Sequence, residues 1–125
     1  MHYRIGTRGS KLALVQSEYV KRRMEEAYPE DTFELVIIKT TGDKVTDKPL
    51  AAIGTKGLFV KEIEEELLSG SIDMAVHSMK DMPAECATGL TFAKAWKRED
   101  CRDVLILKTA GSFSELPSGA VIGTG

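Results

Sequence analysis

The chain has 125 residues, enough for one domain with a buried core or for one domain and part of another. Its hydrophobic share of 42% and charged share of 29% are those of an ordinary globular protein. The formal net charge of -2 argues against a nucleic-acid partner, whose binding surface would be basic. Net charge does not describe a cleft, so a local group of cations can still bind a small anion.

The sequence also indicates a cellular location. No apolar run approaches the roughly 18 residues of a transmembrane helix, and the start of the chain lacks the apolar stretch of a signal peptide. The two cysteines, Cys86 and Cys101, have neither the spacing of a metal finger nor that of a disulfide framework. We therefore expect a cytoplasmic protein with reduced thiols, no metal and no membrane partner.

The first 39 residues predict a strand, a helix and a second strand. Residues 3–7 form the first strand, and the helix extends over residues 11–27. Ser10 is a suitable N-cap, and Pro29 ends the helical pattern. Residues 33–39 are rich in β-branched side chains and predict the second strand.

A long loop and a second helix follow. Residues 40–57 hold few large apolar side chains, and a loop of that length in a small domain is usually functional or mobile. The second helix is predicted over residues 58–68, and its core-facing residues are Phe59, Val60, Ile63 and Leu67. In the first helix, the apolar residues that fall near one face are Leu12, Val15, Tyr19 and Ala27.

The remaining pattern predicts strands. Residues 72–76 form a short buried strand that leads directly into a polar run. Further strands are predicted at residues 90–96, 104–107 and 120–123. This order is typical of an α/β domain with helices packed on a mixed or parallel sheet. A polar break near residues 97–103 separates domain 1, residues 1–97, from a hinge and the truncated start of a second domain, residues 98–125.

Two Gly-flanked turns precede the two predicted helices, and each carries a cation. Arg8 lies in the first turn and Lys56 in the second. The N–H groups of a helix start, together with a nearby cation, suit a carboxylate or phosphate. The alternative is a pair of ordinary capped turns with solvated cations. Neither turn has the pattern of a nucleotide-binding loop.

The run His-Ser-Met-Lys-Asp at residues 77–81 follows the third strand, where open α/β sheets place their ligands. Asp81 is a candidate acid or base, or a carboxylate that stabilises a developing cation. Lys80 would keep it ionised or bind an anionic substrate. The alternative is a surface Lys–Asp pair beside a packed His77. A Ser-His-Asp triad is not indicated, because no nucleophile elbow surrounds Ser78.

These motifs together resemble the N-terminal part of the hydroxymethylbilane synthase family, also called the porphobilinogen deaminases. The resemblance covers essentially the whole chain, and its most specific part is the run at residues 77–83. The other matching motifs are Arg8 with Ser10, the turn at residues 56–59, Arg98-Glu99-Asp100, Arg102-Asp103 and Ile122-Gly123-Thr124.

The resemblance implies a fold and an activity. The fold is an α/β, type II periplasmic-binding-protein-like lobe with a mixed sheet flanked by helices, plus the start of a second lobe. The activity is the joining of four porphobilinogen molecules into the linear tetrapyrrole hydroxymethylbilane, with release of ammonia, in heme biosynthesis. The chain grows on a dipyrromethane cofactor tethered to a cysteine in a third domain. The partners are then porphobilinogen and polypyrrole intermediates, and the full-length enzyme is a monomer.

The resemblance also assigns residues. Asp81 matches the catalytic aspartate, and Lys44 and Lys48 lie in a segment that matches the mobile lid of the family. The residues that match contacts to substrate or cofactor are Arg8, Ser10, Gln16, Lys56, Ser78, Lys80 and Thr124.

The sequence departs from the family pattern by ending at Gly125, before the rest of the second lobe and the third domain. Neither Cys86 nor Cys101 lies where the cofactor cysteine would be. We therefore expect an inactive fragment of the enzyme. The alternative is a non-enzymatic domain that binds small anions and has the same periplasmic-binding-like fold.

Overall fold

The computed structural model describes residues 1–44, 59–108 and 111–123. The chain divides into two units, Met1–Ala93 and Lys94–Gly125. The first unit holds the sheet and its helices, and the second contains a 3-10 turn at Phe113–Glu115. The division into residues 1–97 and 98–125 stays a prediction about the domains of the family.

The elements of the first unit alternate between strand and helix. The apolar pattern predicted this alternation, and the order of the main elements is confirmed. In chain order they are β1 (His2–Thr7), α1 (Lys11–Ala27), β2 (Thr32–Ile37), the short α2 (Thr41–Lys44), α3 (Lys61–Ser69), β3 (Met74–Ala75) and a 3-10 turn (Met79–Asp81). No helix in the described ranges is long and apolar enough to cross a membrane.

The three strands form one sheet in the order β2–β1–β3, with β1 in the middle. β1 pairs with β2 along its full length, and Ile5 and Gly6 pair on the other side with Met74 and Ala75. Both pairings are parallel, so the described sheet is parallel and not mixed as the resemblance implied. The carboxyl ends of all three strands therefore lie at one edge.

Buried apolar residues lie on both faces of the sheet, because side chains alternate along a strand and Ile5 and Gly6 of β1 therefore point to opposite faces. On the face of Gly6 the packing is close, since a Cβ at this position would lie 2.3 Å from Cδ1 of Ile72. The prediction that Val60 and Ile63 face inward is confirmed, since they are 1% and 0% exposed. The buried apolar residues are Ile5, Phe33, Val60, Ile63 and Ile72.

The apolar residues that fall near one face of α1 are not buried. Leu12, Val15 and Tyr19 are 58%, 68% and 40% exposed. Ser17 is buried instead, and its hydroxyl lies 2.6 Å from the buried hydroxyl of Thr7. A pair of hydroxyls joins α1 to β1 here, and a count of apolar side chains cannot detect such a contact.

The structure shortens or lacks four of the predicted strands. The third is limited to β3, and none forms at residues 90–96, 104–107 or 120–123. Val104, Ile106 and Val121 are 86%, 92% and 97% exposed. A strand needs a neighbouring backbone to receive its hydrogen bonds, and in the described ranges these segments have no partner strand. The prediction of strands there was wrong.

We expect Ile63→Ala to lower the free energy of unfolding by about 2–5 kcal/mol, because it leaves a cavity under α3. Urea denaturation followed by circular dichroism measures the change. Leu68→Ala on the same helix is the control, since Leu68 is 54% exposed and its truncation should cost well under about 1 kcal/mol. Equal losses in the two variants would contradict this assignment of the buried face.

Candidate functional site

A pocket lies where the carboxyl ends of β1 and β3 meet. After β1 the chain continues through α1 to β2, which lies on one side of β1, whereas β3 lies on the other side of β1. Adjacent strands whose connections diverge in this way leave a crevice at their carboxyl ends, which is the usual ligand site of open α/β sheets. The polar residues that line the pocket are Arg8, Ser10, Gln16, His77, Ser78 and Asp81. The fold thus brings together five of the eight residues that the resemblance assigned.

The start of α1 forms one wall of the pocket. The N–H of Ala13 donates to Oγ of Ser10 at 3.3 Å, so the predicted N-cap is confirmed. The first turn of α1 contains no acidic residue that would offset the positive end of the helix. Backbone N–H groups and a favourable dipole therefore lie beside the pocket, in an arrangement that suits a carboxylate.

A hydrogen bond joins α1 to the segment that follows β3. The hydroxyl of Ser78 donates to Oε1 of Gln16 at 2.9 Å, across 62 residues of sequence. Both residues were assigned to substrate or cofactor, and in this structure they bind each other. The contact fixes the position of the polar run against the helix, because Ser78 comes directly before the 3-10 turn Met79–Asp81.

The 3-10 turn carries Asp81 into the pocket. The N–H of Asp81 donates to the carbonyl of Ser78 at 2.9 Å, which closes the turn. Met82 has an extended backbone, as expected for the residue before Pro83. Lys80 is exposed and is not among the residues that line the pocket, so its role as a ligand contact stays a prediction.

Arg8 also lines the pocket and is held by two contacts. Its Nη2 and Nε donate to Oδ1 of Asp43 at 2.5 and 3.1 Å, and its guanidinium carbon lies 4.0 Å from the ring centre of Phe59. Burial raises the pKa of Asp43, but hydrogen bonds from Arg8 and Thr40 outweigh that effect, and the pKa lies below its ordinary value. Asp43 is therefore ionised at neutral pH.

The family of the chain follows from comparison with known sequences. The profile described as "Porphobilinogen deaminase, dipyromethane cofactor binding domain" matches residues 3–125. The chain belongs to the porphobilinogen deaminase family. The resemblance seen in the sequence is confirmed.

Relatives with curated names agree with the family. The chain is 98% identical over 125 residues to the porphobilinogen deaminase of Lachnospira eligens, and 58% identical over 126 residues to that of Clostridioides difficile. Each alignment covers all of this chain and 42% of the relative. The porphobilinogen deaminase of Syntrophus aciditrophicus is 57% identical over 122 residues, which is 98% of this chain and 40% of that relative. The chain thus spans less than half the length of these relatives.

Two assignments for this porphobilinogen deaminase family member lie outside the described residues. They are Lys56 and Thr124, and Lys48 of the expected lid also lies there. These assignments stay predictions. Within the described ranges, no group of three His, Cys, Asp or Glu side chains is placed to hold a metal ion.

Two residues near the pocket had no clear role in the sequence analysis. His77 had been considered as a packed strand residue, although its position beside Ser78 was a signal that it reaches the same edge. Asp43 lay in the segment assigned to the lid, and its only signal was a carboxylate soon after the second strand. Its pairing with Arg8 spans 35 residues of sequence, so no local pattern indicates it.

His77 is half-buried in the pocket, and the charges of Asp81 and Arg8 act on its imidazole. Burial lowers the pKa of His77, Asp81 raises it and Arg8 lowers it, and the net result lies below the ordinary value. The imidazole is therefore neutral at pH 7 and adds no positive charge to the pocket.

We expect an NMR titration to place the pKa of His77 below that of a solvated histidine, and two variants to move it in opposite directions. Asp81→Asn should lower the pKa further, because it removes a nearby negative charge. Arg8→Gln should raise it, because it removes a nearby positive charge. The chain has two histidines, so His2→Gln assigns the signals. Shifts of the same sign in both variants would contradict this placement of the charges.

Proposed function

We propose that this chain forms the substrate-binding part of a porphobilinogen deaminase, a transferase that joins four porphobilinogen molecules into hydroxymethylbilane and releases ammonia. The observation that carries the proposal is the pocket, in which the carboxylate of Asp81 shares a small space with Arg8 and the capped start of α1. We also propose that the lobe has type II periplasmic-binding architecture. The parallel sheet with its crevice beside the middle strand supports this.

The substrate has chemical groups that match the polar residues of the pocket. Porphobilinogen carries an acetate arm, a propionate arm, an aminomethyl group and a pyrrole N–H. The carboxylate arms need cationic and hydroxyl donors, which Arg8 and Ser10 supply, and Ser78 would join them by exchanging its hydrogen bond to Gln16 for one to an arm. The amide of Gln16 and the free N–H groups of the first turn of α1 add further donors.

Asp81 acts on the charge that develops during the reaction. When the bond between the aminomethyl carbon and its protonated nitrogen breaks, the nitrogen keeps the bonding electrons and leaves as neutral ammonia. The pyrrole becomes an azafulvene cation, with the positive charge shared by the ring nitrogen. A carboxylate that accepts a hydrogen bond from that N–H stabilises the cation. The terminal pyrrole of the growing chain attacks the exocyclic carbon through its free α-carbon, and loss of the proton from that α-carbon restores the aromatic ring.

The same residues suit the cofactor in the description of the family. A dipyrromethane carries acetate and propionate arms and pyrrole N–H groups like those of the substrate, so Arg8, Ser10 and Ser78 would hold its arms and Asp81 its N–H groups. When bound, it supplies the pyrrole carbon to which the first unit is added. Lys56, Lys80 and Thr124 are proposed as further contacts.

The competing function is a non-enzymatic domain that binds small anions. Arg8 and the start of α1 would serve such a domain equally well. Asp81 would not, because a carboxylate in the pocket repels an anionic ligand. The enzyme is therefore the better interpretation of the charges. A cytoplasmic location, a monomeric state and the lack of a nucleic-acid partner stay predictions.

We expect Asp81→Asn in the full-length protein to lower kcat by at least about 10²-fold, because the amide keeps the shape of the carboxylate but loses its charge. Release of ammonia from porphobilinogen measures turnover. Glu85→Gln removes an exposed carboxylate from the same segment and should retain normal turnover. Turnover by Asp81→Asn near that of the wild type would overturn the role of Asp81.

The chain of 125 residues, with a mass of 13.7 kDa, should carry no covalent pyrrole adduct. The resemblance places the attachment cysteine in a third domain, whereas this sequence has only Cys86 and Cys101. Intact-mass spectrometry of the purified chain tests this, with the full-length protein as the control that carries the adduct. A mass increased by one dipyrromethane would refute the expectation.

A further inference from the structure

Arg8 is held more firmly than a simple ligand-binding arginine requires. Its side chain is 19% exposed, and Phe59 covers one face of the guanidinium. Asp43 binds the edge formed by Nε and Nη2. Within the described residues, the hydrogen bonds of Arg8 use this edge alone, and the edge that contains Nη1 remains for a ligand. A guanidinium has donors enough to bind two carboxylates at once.

Asp43 is in turn fixed by its neighbours. Its Oδ2 accepts hydrogen bonds from the N–H and the hydroxyl of Thr40, at 3.2 and 2.8 Å. Thr40 is fully buried, so the two residues form a rigid support behind the guanidinium. The carboxylate thus accepts from four donor groups, two of Thr40 and two of Arg8, which leaves it little freedom to rotate away from Arg8.

The short helix α2, which contains Asp43, is also held by hydrogen bonds to α3. Glu62 accepts hydrogen bonds from the N–H of Thr41, at 2.8 Å, and from its hydroxyl. Gly42 packs under the ring of Phe59, where a Cβ would lie 2.1 Å from a ring carbon. The same aromatic ring therefore contacts both α2 and Arg8. These contacts connect α3, α2 and the pocket.

We propose that Asp43 is a positioning residue for the proposed reaction: it fixes one edge of the Arg8 guanidinium so that the other edge binds a carboxylate arm of porphobilinogen. Asp43 does not itself line the pocket, so it acts through Arg8. The role rests on the proposed function and extends it, because it names the residue that prepares the arginine before the substrate arrives. An arginine that is already held in its binding orientation loses less conformational entropy when the substrate binds.

The test uses the full-length protein, with porphobilinogen as substrate and KM and kcat measured separately. Asp43→Asn should raise KM about tenfold and change kcat less than about threefold, because a charged two-point contact becomes a weaker neutral one. In an Arg8→Gln background, the same change should have less than a twofold further effect on KM. Two residues that act as one unit give this lack of additivity.

A matched control separates positioning from general stability. Arg4 donates through Nε and Nη2 to Asp73, at 3.1 Å for each bond, and neither residue lines the pocket. Asp73→Asn breaks this similar pair and should lower the melting temperature without changing KM. If Asp43→Asn fails to fold, Thr40→Ala removes one support of the carboxylate and should raise KM about threefold.

The outcomes of this test distinguish a failure of the proposed function from a failure of the positioning role of Asp43. A wild-type protein that forms no hydroxymethylbilane overturns the proposed function and, with it, this role of Asp43. Normal wild-type turnover with an unchanged KM in Asp43→Asn overturns the positioning role alone. A lower KM in that variant also overturns it, because Asp43 would then compete with the substrate for Arg8.

Discussion

The parallel pairing of β1 with β2 on one side and β3 on the other determines where every polar group of the site lies. Parallel strands place their carboxyl ends at one edge, and the chain continues from each end into a different polar segment. Arg8 follows β1, Asp43 follows β2, and the turn with Asp81 follows β3. Residues that are up to 73 positions apart in sequence thus meet in one place. A single strand order accounts for the pocket, its cation and its carboxylate.

Hydrogen bonds between side chains join the elements around this edge. The hydroxyls of Thr7 and Ser17 meet between β1 and α1, and Ser78 binds Gln16 between α1 and the polar turn. Each contact satisfies groups that would otherwise be costly to bury. Because hydrogen bonds are directional, they fix orientation more narrowly than contact between aliphatic side chains does. The arrangement suits a site where donors must meet the arms of a ligand at defined positions.

Local pattern was enough to predict the order of strands and helices and the motifs at Arg8 and Asp81, since periodicity and turn chemistry act over a few residues. It did not indicate the buried face of α1, where Ser17 packs inward while Val15 is exposed. It failed for residues 104–107, because a β-branched run forms a strand only where a neighbouring strand accepts its hydrogen bonds. The β propensity is a property of the segment alone, whereas the presence of a neighbouring strand decides whether the segment forms a strand.

The pairing of Arg8 with Asp43 resolves an electrostatic problem that the pocket itself creates. Arg8 and Asp81 carry opposite charges and line the same small space, and a direct bond between them would neutralise both. The hydrogen bonds of Arg8 go to Asp43 instead, and the ring of Phe59 covers one face of the guanidinium. Within the described residues, the hydrogen bonds of Arg8 are thus made to a carboxylate outside the pocket and not to the one inside it. In the proposed function, Asp81 is then available for the developing cation and the free edge of Arg8 for an anionic arm of porphobilinogen.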